Sequence, residues 1–262
     1  MEHNQLVCED ARVLANEGVG PRLFVVSLES PRIAARLQPG QFVHLQVPGM
    51  PDHILRRPFS VFDCDPQAGT LDILYQDLGY GSHRMTDLGA GDMASQIGPV
   101  GHGWQAPTGT ERALLVGGGV GAAPLFLHAK ALLAAGVAVD VVLGAATKAA
   151  LATYDAYTAL LGHAPVVATD DGSFGFSGFC TQPAADLLAA HDYDHVACCG
   201  PEPLMRIVAQ MAADAQVECQ VSMERRMACG VGACLSCVVD TTDGKRRACV
   251  DGPVFESSKV VW

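Results

Sequence analysis

The chain is predicted to be a multidomain α+β and α/β protein. It would combine an antiparallel β-barrel, a Rossmann-like parallel sheet and a small C-terminal unit that holds an inorganic cluster. Three observations favour this class. Short strands without long helical patterns run from Val7 to about Ile97. Strand–helix–strand units follow from Arg112, and four closely spaced cysteines come near the C-terminus. Short successive strands indicate a barrel, whereas strand–helix–strand units indicate a parallel sheet.

Bulk composition limits the classes of partner. The 262 residues are 49% hydrophobic and carry a net charge of −11, which argues against binding to nucleic acid or to an anionic membrane. No apolar run reaches the ~18 residues of a membrane span, and Met1–Gln5 do not begin a signal peptide. The 10 cysteines are therefore interpreted as thiols of a cytoplasmic protein.

The barrel prediction rests on three segments of alternating and β-branched residues: Leu23–Leu28, Gln41–Val47 and Leu71–Tyr75. Gly/Pro turns such as Pro39-Gly40 separate them. Strands at this spacing would close into a small antiparallel barrel.

Two polar segments interrupt the barrel. Arg56–Ser60 offers a guanidinium for a phosphate, a ring (Phe59) for a planar group and a hydroxyl for a heteroatom. An edge strand with a solvated arginine pair is the alternative. Gly79–Ser82 is a Gly-rich turn that opens a helical pattern, so its free N–H groups can face a phosphate. An ordinary turn capped by Ser82 is the alternative here. Together the two segments point to a dinucleotide.

The Gly/Pro-rich stretches Gly98–Trp104 and Ala106–Thr110 mark a domain boundary. We predict a β-barrel domain over residues 1–105, an α/β domain over 106–218 and a cluster domain over 219–262.

The second domain begins with an apolar strand, Arg112–Val116, and the glycine-rich turn Gly117–Gly121. An Ala/Leu-rich helix through Ala135 and the strand Val137–Leu143 complete a βαβ unit. The turn matches the dinucleotide fingerprint only in part, and glycines that merely allow close helix–strand packing are the alternative. A later strand ends at Cys199, and the carboxyl ends of parallel strands are where such sheets bind ligands.

The cysteines Cys229, Cys234, Cys237 and Cys249 have the spacing of a [2Fe–2S] site. The first three follow the C-x4-C-x2-C run of plant-type ferredoxins. Gly230 and Gly232 let the loop fold tightly, so that N–H groups can point at sulfur. A structural zinc site is the alternative, although zinc sites usually pair two short C-x2-C turns.

The order of these motifs resembles the ferredoxin-reductase flavoprotein superfamily, and the segment from Ser222 to Phe255 is similar to the electron-transfer subunits of class 1B dihydroorotate dehydrogenase. The resemblance implies FAD in the barrel, NAD in the second domain and a [2Fe–2S] cluster in the third. It also implies a partner, a catalytic subunit that holds FMN and oxidises dihydroorotate, in a heterotetramer of two of each subunit. Electrons would pass from that FMN through the cluster and FAD to NAD⁺, within pyrimidine biosynthesis.

The resemblance also assigns site residues. The flavin residues would be Arg57, Pro58, Phe59, Ser60, Leu74, Tyr75, Gln76, Gly81 and Ser82. The nucleotide residues would be Gly117, Gly118, Gly119, Gly121, Cys199 and Gly200. Ser60, at the isoalloxazine edge, and Cys199, near the nicotinamide, would be the catalytic residues. The cluster ligands would be Cys229, Cys234, Cys237 and Cys249. Ala145–Thr147 depart from the family, whose members often carry an arginine there.

Two other functions remain open at this level. A reductase that passes NAD(P)H electrons to an oxygenase or a hydrogenase would share most of these motifs. A zinc-stabilised binding module without enzymatic activity would share the cysteines. Lys148 is the sole basic residue soon after the second strand, which favours NAD over NADP.

Overall fold

The computed structural model describes residues 6–262. The prediction that the chain does not start with a signal peptide concerns Met1–Gln5, which lie outside them. Within the described residues, no helix combines the length and the apolar character needed to cross a membrane.

Among residues 6–105, seven strands and two short α-helices form the first unit of the fold. The strands are β1 (Val7–Gly20), β2 (Leu23–Glu29), β3 (Phe42–Leu45), β4 (Arg57–Ser60), β5 (Asp63–Asp65), β6 (Thr70–Gln76) and β7 (Met93–Val100). The helices are α1 (Pro31–Ala34) and α2 (Tyr80–Met85).

These strands form one sheet in the order β4-β3-β7-β1-β2-β6-β5, and every pair is antiparallel. Burial alternates along the start of β1, because side chains on one face point into the barrel core. The sheet curls, since the ring of Phe59 on β4 lies 6.2 Å from that of Tyr75 on β6, near the other end of the strand order. The barrel prediction is confirmed.

Nine further strands and four α-helices follow, with three short 3-10 helices between them or after them. The strands are β8 (Arg112–Gly118), β9 (Ala138–Ala145), β10 (Val166–Thr169), β11 (Phe176–Ser177), β12 (His195–Cys199), β13 (Glu218–Ser222), β14 (Val238–Thr241), β15 (Gly244–Arg247) and β16 (Val254–Glu256). The helices are α3 (Ala123–Ala134), α4 (Tyr154–Leu161), α5 (Thr181–Ala190) and α6 (Glu202–Asp214).

The second sheet has the order β11-β10-β9-β8-β12-β13-β16. All of its pairs are parallel except β13 with β16. Its central strand β8 is buried throughout Ala113–Gly118, as expected for a sheet covered by helices on both faces. The predicted parallel sheet is confirmed.

The C-terminal segment returns to this sheet. β14 and β15 form a separate hairpin, but β16 then pairs with β13, with Phe255 opposite Val221. The same segment also contacts the stretch after β7, because His102 N donates to Gly252 O over 2.6 Å. The cluster region is therefore fixed to both larger units.

Candidate cofactor sites

The two arginines at the start of β4, Arg56 just before it and Arg57 as its first residue, have different partners. Arg56 donates to the carbonyl and the hydroxyl of Ser95, over 2.6 and 3.0 Å. Arg57 donates to the carbonyl of Leu55, and its guanidinium lies against Gly81, where an added Cβ would stand 2.8 Å from Nε. The structure thus separates a structural arginine from one that faces the glycine turn.

The turn before α2 uses its serine locally. Ser82 Oγ accepts the N–H groups of Leu78 and Gly79, over 2.9 and 3.0 Å, and donates to Gly79 O over 3.0 Å. These bonds hold the turn that places Gly81 beside Arg57. The two segments predicted to face phosphate therefore lie together, although they are far apart in sequence.

The predicted flavin strand β6 contains a tyrosine with a structural partner. Tyr75 is buried, and its hydroxyl donates to Asn16 Oδ1 over 3.0 Å. Asn16 in turn donates to the carbonyls of Met85 and Leu88, which fixes the end of α2. Burial raises the pKa of Tyr75 to about 12. Asn16 was not predicted from the sequence, because the only indication of its role is a polar amide side chain within a strand. Leu74 is buried and Gln76 half-buried beside it.

The nucleotide loop follows β8 and contains glycines of two kinds. An added Cβ would lie 2.7 Å from Ala122 Cα at Gly117, 2.6 Å from Leu204 at Gly118 and 2.5 Å from Cys199 O at Gly121. These three glycines allow backbone segments to pack. Gly119 differs, because its φ is +56° and no atom of the described chain lies within 4 Å of an added Cβ.

Cys199 and Gly200 lie at the carboxyl end of β12, beside this loop. Cys199 is opposite Gly117 in the parallel β8–β12 pair. Burial raises the pKa of the Cys199 thiol to about 12, so the group is neutral and donates weakly to Ser222 O, 3.9 Å away. The structure brings all predicted nucleotide residues to one edge of the sheet. Ser60 lies on the barrel strand β4.

The four cluster cysteines fall into two pairs. Cys229 and Cys234 share a turn in which the N–H groups of Val231 and Cys234 each donate to Cys229 Sγ over 3.4 Å. Cys237 and Cys249 are buried, with their sulfurs 3.3 Å apart. Among residues 6–262, no group of three or more His, Cys, Asp and Glu side chains lies close enough together to hold a single metal ion.

Cys234 and Cys249, one from each pair, have pKa values shifted in opposite directions. The hydroxyl and N–H of Ser236, and then Cys229, lower the pKa of the exposed Cys234. Burial, and then the neighbouring Cys237, raise the pKa of Cys249. Hydrogen bonds therefore favour the thiolate form of Cys234, whereas Cys249 needs a nearby cation to hold a negative charge.

The loop between the first two cysteines has no room for a side chain at its two glycines. Gly230 and Gly232 have φ values of +67° and +82°. An added Cβ would collide with the ring of His44 at Gly230 and would lie 2.6 Å from Val250 at Gly232. Four thiols in two pairs, with N–H groups directed at sulfur, fit a cluster in which each of two irons takes two thiolates.

Comparisons with known proteins agree with this geometry. A family model described as the iron-sulfur cluster binding domain of dihydroorotate dehydrogenase B matches residues 224–261. The dihydroorotate dehydrogenase B (NAD(+)) electron transfer subunit of Desulforamulus reducens is 38% identical, over 97% of this chain and 98% of its own. The chain belongs to this family. The corresponding subunit of Streptococcus thermophilus is 37% identical, over 98% of this chain and 99% of its own.

Solved structures support the fold. An NADH-dependent reduced ferredoxin-NADP oxidoreductase, studied for flavin-based electron bifurcation, matches with a TM-score of 0.87 and 30% identity, over 96% of this chain and 90% of its own. Phthalate dioxygenase reductase matches with a TM-score of 0.65 and 18% identity, over 90% and 87%. The predicted family and fold class are confirmed, and the reductase for another partner and the zinc module are not favoured.

Proposed function

We propose that the chain is the electron-transfer subunit of an NAD-dependent dihydroorotate dehydrogenase complex, an oxidoreductase of pyrimidine biosynthesis. It carries FAD, a [2Fe–2S] cluster and NAD, and it serves a catalytic dihydroorotate dehydrogenase subunit. The observation that carries this function is the paired set of four thiols in a chain that also folds as a flavin reductase. FMN in the partner, a heterotetramer of two of each subunit and a cytoplasmic location complete the proposal.

The site residues keep their proposed roles, refined by their contacts. Arg57 would bind the flavin pyrophosphate together with the backbone N–H groups of the first turn of α2, which follows Gly79. Phe59 would lie against the flavin ring, and Ser60 would donate to its edge. Pro58, Leu74, Tyr75 and Gln76 would line the same site through backbone and packing contacts.

The nucleotide residues would act at the edge of the second sheet. Gly119 offers the open approach for the dinucleotide backbone, while Gly117, Gly118 and Gly121 hold the loop in place. The neutral thiol of Cys199, followed by Gly200, would stand at the nicotinamide. When bound, the cofactors supply hydride transfer between nicotinamide and flavin and single-electron transfer at the cluster.

The cluster ligands would be Cys229, Cys234, Cys237 and Cys249. They lie in the segment that we assign to residues 219–262, after the barrel domain 1–105 and the nucleotide domain 106–218. β13 (Glu218–Ser222) crosses the second of these boundaries and joins the nucleotide sheet to the cluster segment through its pairing with β16. The cluster loop would therefore keep a fixed position relative to both cofactor domains.

Co-purification with the catalytic subunit tests the function. The isolated chain should show flavin and iron–sulfur absorption, and NADH should reduce its flavin. The complex should form NADH from NAD⁺ when dihydroorotate is added, whereas neither subunit alone should do so. A colourless zinc protein would contradict the proposal. So would a flavin and iron–sulfur protein that binds the catalytic subunit without coupled turnover.

A further inference from the structure

His44 is a buried side chain to which the site description gives no function. It lies on β3 with 0% of its surface exposed. Neither Nδ1 nor Nε2 has a hydrogen-bond partner among the described residues. A buried polar group without a partner destabilises the folded state. We therefore expect a ring N–H of His44 to donate to an acceptor once the cofactors are bound.

The ring stands between the proposed flavin strand and the cluster loop. In the β3–β4 pair His44 is opposite Pro58, within the Arg57–Ser60 segment. On its other side the ring packs against Gly230, where an added Cβ would lie 3.0 Å from both Cε1 and Cγ and nearest of all to Nδ1. Gly230 directly follows Cys229, the first proposed ligand, and its φ of +67° turns the chain there.

The polar groups nearest the ring do not satisfy it. Burial lowers the pKa of His44, and it outweighs the nearby backbone acceptors of Arg56 and Cys229, which act in the opposite direction. In either protonation state the imidazole carries at least one N–H. The sulfur of Cys229 already accepts two backbone N–H groups, so the loop directs donors at sulfur.

We propose that His44 is a positioning residue for the cluster: it packs under the loop at Gly230 and donates its N–H to the sulfur ligands around Cys229. This inference rests on the proposed [2Fe–2S] cluster. A donor to cluster sulfur stabilises the reduced, more negative state, so His44 raises the cluster's reduction potential. Through its place opposite Pro58, the same side chain links the barrel strand of the flavin site to the first cluster ligand.

The test compares reduction potentials in the intact protein. An EPR-monitored titration would measure the cluster potential of the parental protein, His44→Leu and His44→Asn. Leucine has similar bulk without a donor, and the asparagine amide can donate near the position of Nδ1. The cluster potential should fall in His44→Leu and return toward the parental value in His44→Asn, with the FAD potential unchanged. His128→Leu, which removes another buried histidine, should leave the cluster potential unchanged.

A second measurement detects the proposed hydrogen bond in the parental protein itself. In the parental protein labelled with ¹⁵N-histidine, pulsed EPR of the reduced cluster should detect a histidine nitrogen, and His44→Asn should lose that signal. A pulsed EPR spectrum without a ¹⁵N-histidine coupling would overturn the inference. An unchanged cluster potential in His44→Leu, together with a raised thermal stability, would also overturn it. The latter result would mark His44 as an unpaired core residue only. A parental protein without a reducible cluster would overturn both the inference and the proposed function.

Discussion

The nucleotide loop and the cluster loop are both rich in glycine, but they use it for different reasons. In the nucleotide loop, Gly117, Gly118 and Gly121 exclude a side chain because neighbouring segments pack against them. In the cluster loop, Gly230 and Gly232 combine positive φ with a blocked Cβ position. The first loop is shaped by packing and the second by both backbone conformation and packing. A glycine-rich pattern alone does not distinguish these cases.

The largest effect is expected at Gly230. In Gly230→Ala a Cβ would collide with the His44 ring, and the left-handed backbone adds strain. Together these should cost about 2–5 kcal/mol, so the variant should lose most of its iron while FAD remains. Iron content per FAD measures this. Gly244→Ala is the matched control, because Gly244 has φ +96° and open space around it among residues 6–262. Equal iron loss in both variants would show that only the conformation matters.

The proposed flavin turn, Gly79–Ser82, contains a third kind of glycine. A Cβ at Gly81 would meet the Arg57 side chain and not the backbone of a neighbouring segment. Arg57→Ala removes a charged hydrogen-bond donor from the proposed pyrophosphate site, which should cost ~1.5–3 kcal/mol of binding, or about 10- to 150-fold in FAD affinity. FAD retained after dialysis measures it, and iron content should not change. Arg12→Ala, which breaks an exposed ion pair with Glu29, is the control. Full flavin occupancy in Arg57→Ala would refute the role.

Gly121 tests the packing half of the comparison. In Gly121→Ala the new Cβ would meet the backbone of Cys199 and Gly200, and overpacking of this kind costs ~1–3 kcal/mol. Thermal unfolding followed by circular dichroism should show a lower Tm with both cofactors still bound at room temperature. An unchanged Tm would show that the nucleotide loop has room for a Cβ at Gly121, contrary to our account.

Gly119 should show the smallest effect on stability and a selective effect on NADH. Gly119→Val places a branched side chain where the dinucleotide would approach, so NADH should reduce FAD more slowly while dithionite still reduces it. The left-handed backbone costs roughly 1–2 kcal/mol. Gly136→Val is the matched control, since Gly136 has φ +81° and, within the described chain, the same open surroundings. Parental NADH kinetics in Gly119→Val would leave the loop as a packing element.

Sequence patterns predicted most of the fold, because the order of apolar and polar residues along each strand indicates which side chains are buried. The predicted strand Leu71–Tyr75 lies within β6 (Thr70–Gln76), and the predicted strand that begins at Arg112 became β8 (Arg112–Gly118). β16 was not predicted. It has only three residues, and its pairing with β13 depends on a chain reversal that no local period records.

The site was predictable where its residues are close in sequence. The spacing of Cys229, Cys234 and Cys237 predicted the thiol loop directly. His44 and Asn16 were missed, because each acts on a segment far along the chain: His44 on Gly230, and Asn16 on Tyr75. Contacts of this kind arise from tertiary packing, and a single sequence carries no signal for them beyond a polar residue in an apolar strand.

The coupled reaction of a Cys249→Ala complex tests the central claim most directly. Cys249 is buried beside Cys237, with their sulfurs 3.3 Å apart, so its loss should remove iron. The measurement follows both half-reactions in one sample, with Cys219→Ala as a control for a buried cysteine outside the cluster. NADH should still reduce FAD, whereas dihydroorotate-dependent NADH formation should collapse, because single electrons would have no route between the two subunits. Coupled turnover that persists in an iron-free Cys249→Ala complex would contradict the account and leave these cysteines structural.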